Sequence, residues 1–139
     1  MQSKELIEKL ERLAPPEYAE SWDNPGLLVG SAKREVHKVY IALDADGEAV
    51  DRAVRCGCDM ILTHHPLLFS AIKSIRDEDF IGHRLMMMIE NGINYFAMHT
   101  NFDTAVMADL AADRLKLQNK QPLAMVRETE SGLKGIGST

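Results

Sequence analysis

The stretch VYIALDADGEAVDRAVRCGCDMIL, residues 39–62, decides the fold. It opens on Val39-Tyr40-Ile41-Ala42-Leu43, an unbroken apolar run of the kind a strand covered on both faces requires. Asp46 then stands where a helix N-cap is needed. Ala49, Val50, Ala53 and Val54 recur at helical spacing, and Gly57 supplies a C-terminal stop. Met60-Ile61-Leu62 begins a second strand. Strand, helix and strand in this order make a βαβ unit, whose two strands run parallel.

The pattern continues outward in both directions. Toward the C-terminus, Asp77 or Asp79 caps a longer helix carrying Ile81, Leu85, Met88 and Ile89, which Gly92 ends. A third strand is expected over residues 93–98, and a last helix from about Ala105 to Leu115. Toward the N-terminus, Ser3 is the expected cap of a helix striped by Leu6, Ile7, Leu10 and Leu13. Pro15-Pro16 stops it, because proline cannot donate the next hydrogen bond and disfavours helix in the residue before it. A loop through Trp22-Asp23-Asn24-Pro25-Gly26 leads to a short strand, Leu27-Leu28-Val29. The expected fold is a single α/β domain over residues 1–139, with a largely parallel sheet flanked by helices. The tail, residues 131–139, is rich in small residues and reads as a linker or a turn.

Composition narrows the function classes. The net charge of -5 offers no electrostatic footprint for duplex nucleic acid, so no direct duplex binding is expected. No apolar run approaches the roughly 20 residues needed to span a bilayer, and no membrane association is expected. The first residues lack the order of a signal peptide, so the expected location is cytoplasmic. Cys56 and Cys58 are too few and too close for a disulfide framework and read as reduced thiols.

In a parallel sheet the loops after the strands lie along one edge, where ligands bind. Asp44 follows the first strand, Thr63-His64-His65-Pro66 the second, and His99-Thr100-Asn101-Phe102-Asp103 the third. Three of the five histidines thus fall on that edge, whereas His37 and His83 do not and read as structural. Imidazole and carboxylate together suit zinc, iron, manganese and similar divalent ions. Adjacent side chains on an extended segment point to opposite sides. His64 and His65 are therefore expected to serve two ions, one each, with Asp103 able to bridge them. Two ions about 3.5–4 Å apart activate a shared water and clamp a substrate oxygen. His99 is open between ligand, proton shuttle and a residue orienting Asp103, with the acid–base or orienting role preferred over ligation. Asp44 is read as a turn cap in preference to a ligand. Trp22 is read as a packing anchor, Asp23 and Asn24 as makers of local turn bonds, and Met86-Met87-Met88 as helix and core.

The segments Trp22-Asp23-Asn24-Pro25-Gly26-Leu27-Leu28-Val29-Gly30, Thr63-His64-His65-Pro66-Leu67-Leu68-Phe69 and His99-Thr100-Asn101-Phe102-Asp103 closely resemble the Nif-three-like family, also labelled the GTP cyclohydrolase 1 type 2 family. The resemblance runs over nearly the whole chain. It implies that His64, His65 and Asp103 are dinuclear metal ligands, with His99 beside the metals. It further implies a ring-like homohexamer built from trimers, its sites facing an inner cavity. Family members are much longer, and their remaining ligands, a histidine and a glutamate, come from a C-terminal half. The chain is thus expected to be the N-terminal portion of such a fold, with weaker binding or a single metal position filled. The implied function is a divalent-metal-dependent hydrolase acting on a nucleotide-like small molecule. GTP is one candidate, its purine imidazole ring opened by metal-activated water while His99 moves protons. The alternatives are a metal-binding module that engages a protein partner, in keeping with the family name, and an inactive short form.

Overall fold

A computed structural model of the chain describes residues 1–129 and 132–138. Its main sheet has four strands: β1 (Gly26–Val29), β2 (Val39–Ala42), β3 (Met60–Thr63) and β4 (Asn94–Ala97), in the order β1-β4-β3-β2. β2, β3 and β4 run parallel, while β1 lies antiparallel against β4. Three helices flank the sheet: α1 (Ser3–Leu13), α2 (Gly47–Arg55) and α3 (Phe80–Glu90).

The strand period of two divides the core into two layers. Ile61, Tyr95 and Ala97 face α2 and α3, packing with Val50, Ala53, Leu85 and Met88. Met60 and Phe96 face the other way, against Leu6, Ile7 and Leu10 of α1. β3 and β4 are therefore covered on both faces. β2 is an edge strand, and its Ile41 is 73% exposed. The apolar run at 39–43 thus overstates its cover: Val39 packs against the core layer around Met60 and Phe96, but Ile41 lies outside either core layer.

Local signals set most boundaries. Asp46 Oδ1 accepts from the Ala49 amide at 2.8 Å, the cap expected of it. Gly57, at φ +61°, closes α2 in the left-handed conformation that glycine adopts without strain. Asp79 occupies the N-cap position of α3, but its carboxylate turns to Arg76 Nε at 3.3 Å instead of capping. Ser3 is not a cap either. Gln2 holds that position, and Ser3 is fully buried, its hydroxyl accepting from Asn94 Nδ2 at 2.8 Å. The reason is the pinned chain start, whose ammonium donates to the Val36 carbonyl at 3.0 Å.

Two regions depart further from expectation. The last helical segment begins at Thr100, not near Ala105: α4 (Thr100–Phe102) runs into a π-helical turn (Asp103–Met107) and then α5 (Ala108–Arg114). Residues 132–138 of the tail form a strand and not a linker, while residues 131 and 139 lie outside the described residues. β5 (Pro122–Thr129) and β6 (Gly132–Ser138) pair antiparallel as a hairpin. The tail glycines serve close approach here: a Cβ on Gly135 would meet the Ala124 carbonyl oxygen at 2.1 Å. Among the described residues, no helix is long and apolar enough to cross a membrane.

Candidate metal centre

Ala42, Thr63 and Ala97 stand in register at the ends of β2, β3 and β4. The chain leaves all three strands at one edge, which places Asp44, His64, His65 and His99 around a common space. His64 and His65 do not continue the extended strand. The chain bends at both residues, and their ring centroids lie 4.9 Å apart. The expectation that they point to opposite sides is corrected by that bend, since alternation holds only while the backbone stays extended. His99 joins them, with its ring centroid 5.2 Å from His64 and 5.6 Å from His65. One ligand atom from each imidazole falls within 4.8 Å of the others.

The Nδ1 atom of each ring is committed to an oxygen. His64 Nδ1 meets the Met98 carbonyl at 3.0 Å, His65 Nδ1 the Asp44 carboxylate at 2.8 Å, and His99 Nδ1 the Asp23 carboxylate at 2.8 Å. A carbonyl or an ionised carboxylate only accepts, so each Nδ1 carries the proton and donates it. In the neutral rings this makes each Nε2 the acceptor, the tautomer that binds metal, with an oxygen holding each ring from behind. His64 Nε2 in turn faces Asp103 Oδ1 at 3.5 Å. That spacing suits a proton or a metal ion shared by the two atoms. The donor set therefore fits a divalent metal, with three imidazoles and one carboxylate available. Asp103 begins the π-helical turn, a helix irregularity frequent at functional sites.

Further bonds hold the ligand loops. The buried Tyr95 hydroxyl accepts from the Leu67 amide at 2.8 Å and donates to the His65 carbonyl at 3.0 Å, with the Thr63 hydroxyl 2.8 Å away. Burial pushes the Tyr95 hydroxyl above its ordinary pKa. The Asp23 side chain is fully buried. Burial alone would raise its carboxyl, but hydrogen bonds from the Thr100 hydroxyl, the His99 ring and the Thr100 and Asn24 amides outweigh that and hold it below the ordinary carboxylate range. The carboxylate behind His99 therefore stays charged.

Asp23 makes the local bond expected of it, to the Asn24 amide at 2.8 Å. Its larger part, anchoring His99 and Thr100 from 76 and 77 residues away, was not foreseen. Asp44 supports His65 where a turn cap was expected. Trp22 is 56% exposed and packs at the rim of the site, so it is no buried anchor. His37 lies at the surface 3.3 Å from Glu35, and His83 is exposed on α3, both outside the cluster. Among the described residues both cysteines are free, Cys56 exposed and Cys58 buried.

A family model described as Duf34/NIF3 (NGG1p interacting factor 3) matches residues 1–139. The chain is 38% identical over 135 residues to a GTP cyclohydrolase 1 type 2 homolog of Streptomyces coelicolor, covering 96% of this chain and 47% of that one. It is 41% identical over 100 residues to the GTP cyclohydrolase 1 type 2 of Helicobacter pylori, covering 72% of this chain and 40% of that one. Among solved structures, a Bacillus cereus protein related to NIF3 superposes with a TM-score of 0.83 at 37% identity, over 90% of this chain and 35% of its own. Reduced HcgD from Methanocaldococcus jannaschii superposes at 0.84 with 35% identity, over 95% of this chain and 52% of its own. The chain thus spans less than half the length of these curated relatives.

Proposed function

The chain belongs to the Duf34/NIF3 family, and on that premise we propose that it holds divalent metal at His64, His65 and Asp103 and takes part in hydrolysis of a nucleotide-type substrate, GTP being the first candidate. The observation that carries this reading is the set of three imidazoles whose Nδ1 atoms are all tied to oxygens, leaving the Nε2 atoms free. Zinc, iron and manganese all suit imidazole with carboxylate. When bound, the metal supplies Lewis acidity that lowers the pKa of a water and polarises the substrate.

The chain's own residues supply orientation and proton handling. Met98 and Asp44 hold the rings of His64 and His65 from behind. His99 is the proposed proton carrier. Its Nε2 takes a proton while Nδ1–H remains on Asp23, and the buried carboxylate stabilises the imidazolium so formed. Homo-oligomeric assembly, a hexamer as the resemblance implies, and a cytoplasmic location go with this reading.

The test is metal content and GTP turnover of the purified chain beside His64→Ala, His65→Ala, Asp103→Ala and His99→Ala. The expected result is loss of metal in the first three. His99→Ala keeps metal and loses turnover. A parent that takes up no metal when supplied with it defeats the reading. Metal loss from His99→Ala moves that residue among the ligands.

A second reading is a metal-supported module that binds a protein partner. It is favoured by apolar side chains left exposed on the hairpin, Leu123, Met125 and Leu133. Partner capture that survives Asp103→Ala supports it over catalysis.

A further inference from the structure

Beside the imidazole cluster stand two large aromatic side chains turned toward solvent. Trp22 is 56% exposed and Phe69 53%. Their ring centroids lie 5.7 Å apart at an interplanar angle of 52°. Trp22 also meets His99 edge-on, at 6.1 Å between centroids. The rings therefore run outward from the cluster in the order His99, Trp22, Phe69.

Exposed aromatics on loops usually have freedom to turn, and these loops are tied down. Asp23, the residue after Trp22, receives the His99 ring and the Thr100 amide, at 2.8 and 3.0 Å. Asn24 Nδ2 donates to the carbonyl of Leu68, the residue before Phe69, at 2.6 Å. Two loops far apart in sequence are thus bonded to each other and to the site. They present open aromatic faces there without burying them in the core. Leu68 shows the contrast: it packs against the core cluster while Phe69 beside it turns out.

Resting on the proposed nucleotide chemistry, we infer that Trp22 is a stacking platform for the purine base of the substrate, with Phe69, tilted 52° to it, walling the outer side and the base edge directed at the imidazole cluster. A purine offers a flat π-face, which tryptophan and phenylalanine bind without further polar contacts. Stacking on Trp22 sets the base next to His99, where its imidazole ring is in reach of the groups that handle protons. The platform reads the base, and the phosphates play no part in it.

Trp22 is the only tryptophan of the 139 residues, so it reports its own stacking. The experiment titrates the chain with guanosine, with GTP and with inorganic triphosphate, following tryptophan emission excited beyond the guanine absorption band, with and without added zinc. Guanosine and GTP are expected to quench saturably in both conditions, and triphosphate to leave emission unchanged. By equilibrium dialysis, Trp22→Ala and Phe69→Ala are expected to weaken guanosine binding roughly tenfold, and Trp22→Phe to retain most of it. Both side chains are more than half exposed, so these variants leave the core intact, which circular dichroism checks. The inference is overturned if guanosine does not quench, if triphosphate quenches as GTP does, or if both alanine variants bind guanosine as the parent does. Failure of the platform with metal retained leaves the metal reading standing. Saturable quenching in a chain that takes up no metal leaves the platform standing and removes the metal reading.

Discussion

The central strands and the C-terminal hairpin are both regular paired β-structure, yet they are built on different physics. In β3 and β4, Met60, Ile61 and Tyr95 are fully buried and Phe96 is 2% exposed, because helices cover both faces. In β5 and β6, Leu123 is 71% exposed, Met125 65% and Leu133 51%. The backbone ladder satisfies the hairpin's polar groups, but little apolar area leaves water there. Burial on two faces makes strands that can carry a site, and pairing alone does not. The imidazole cluster follows that rule: it hangs from the ends of the buried strands, and among the described residues the hairpin adds no side chain to it.

The sharpest way to break this comparison is to remove matching apolar side chains from the two regions. Phe96→Ala is expected to cost about 3–5 kcal/mol in urea unfolding, because it opens a cavity between β4 and α1. Leu123→Ala is expected to stay within about 0.5 kcal/mol. Comparable losses at the two positions would make the hairpin part of the core and defeat the distinction.

A smaller effect sharpens the link between core and site. Tyr95→Phe leaves the Leu67 amide without its acceptor and the His65 carbonyl without one of its donors. The expected cost is about 1–3 kcal/mol, together with weaker metal retention as the loop after β3 loosens. Lost stability with unchanged metal affinity would separate the loop's support from its ligands.

Capping comes next. Asp46→Ala removes the acceptor for the Ala49 amide at the start of α2 and is expected to cost about 1 kcal/mol, read from the urea midpoint. Asp79→Ala, with no capping bond to lose, is expected to cost clearly less.

The smallest effect depends on pH. The Asp59 carboxyl is held below its ordinary pKa, first by the His37 amide, with burial opposing and the Lys38 amide adding to the lowering. A carboxyl lowered on folding stabilises the protein above its unfolded pKa, and that contribution fades as pH falls through the lower folded value. The parent's thermal midpoint should therefore exceed that of Asp59→Asn at neutral pH, the gap closing in acid below about pH 4. A gap that persists undiminished in strong acid rules this account out.

How far the sequence could be read depended on how local each signal was. The βαβ unit was legible because Asp46, the apolar spacing of α2 and Gly57 act within one helix length. The parallel strands that follow from it place His64, His65, His99 and Asp103 on one edge. Ser3 misled because its capping signal is local, whereas its actual partner, Asn94, is 91 residues away. The tail misled because glycine counts as flexibility in composition, while in the hairpin Gly135 permits a close backbone approach. The start of the last helix was missed because Thr100 and Asn101 are polar and buried, and their partners, Asp23 and Ala14, lie on the first loops.

By itself, then, the sequence determined the order of strands and helices from α1 to β4, the parallel core, and the histidines and Asp103 brought to one edge, since these follow from periodicity and capping within a few residues. Only the tertiary structure decided that His64 and His65 turn to the same side, that Asp23 and Asp44 stand behind two of the imidazoles, and that Trp22 opens to solvent beside them. Those arrangements come from a bend at the end of β3 and from hydrogen bonds spanning 21 and 76 residues, distances over which no local pattern in a chain carries information.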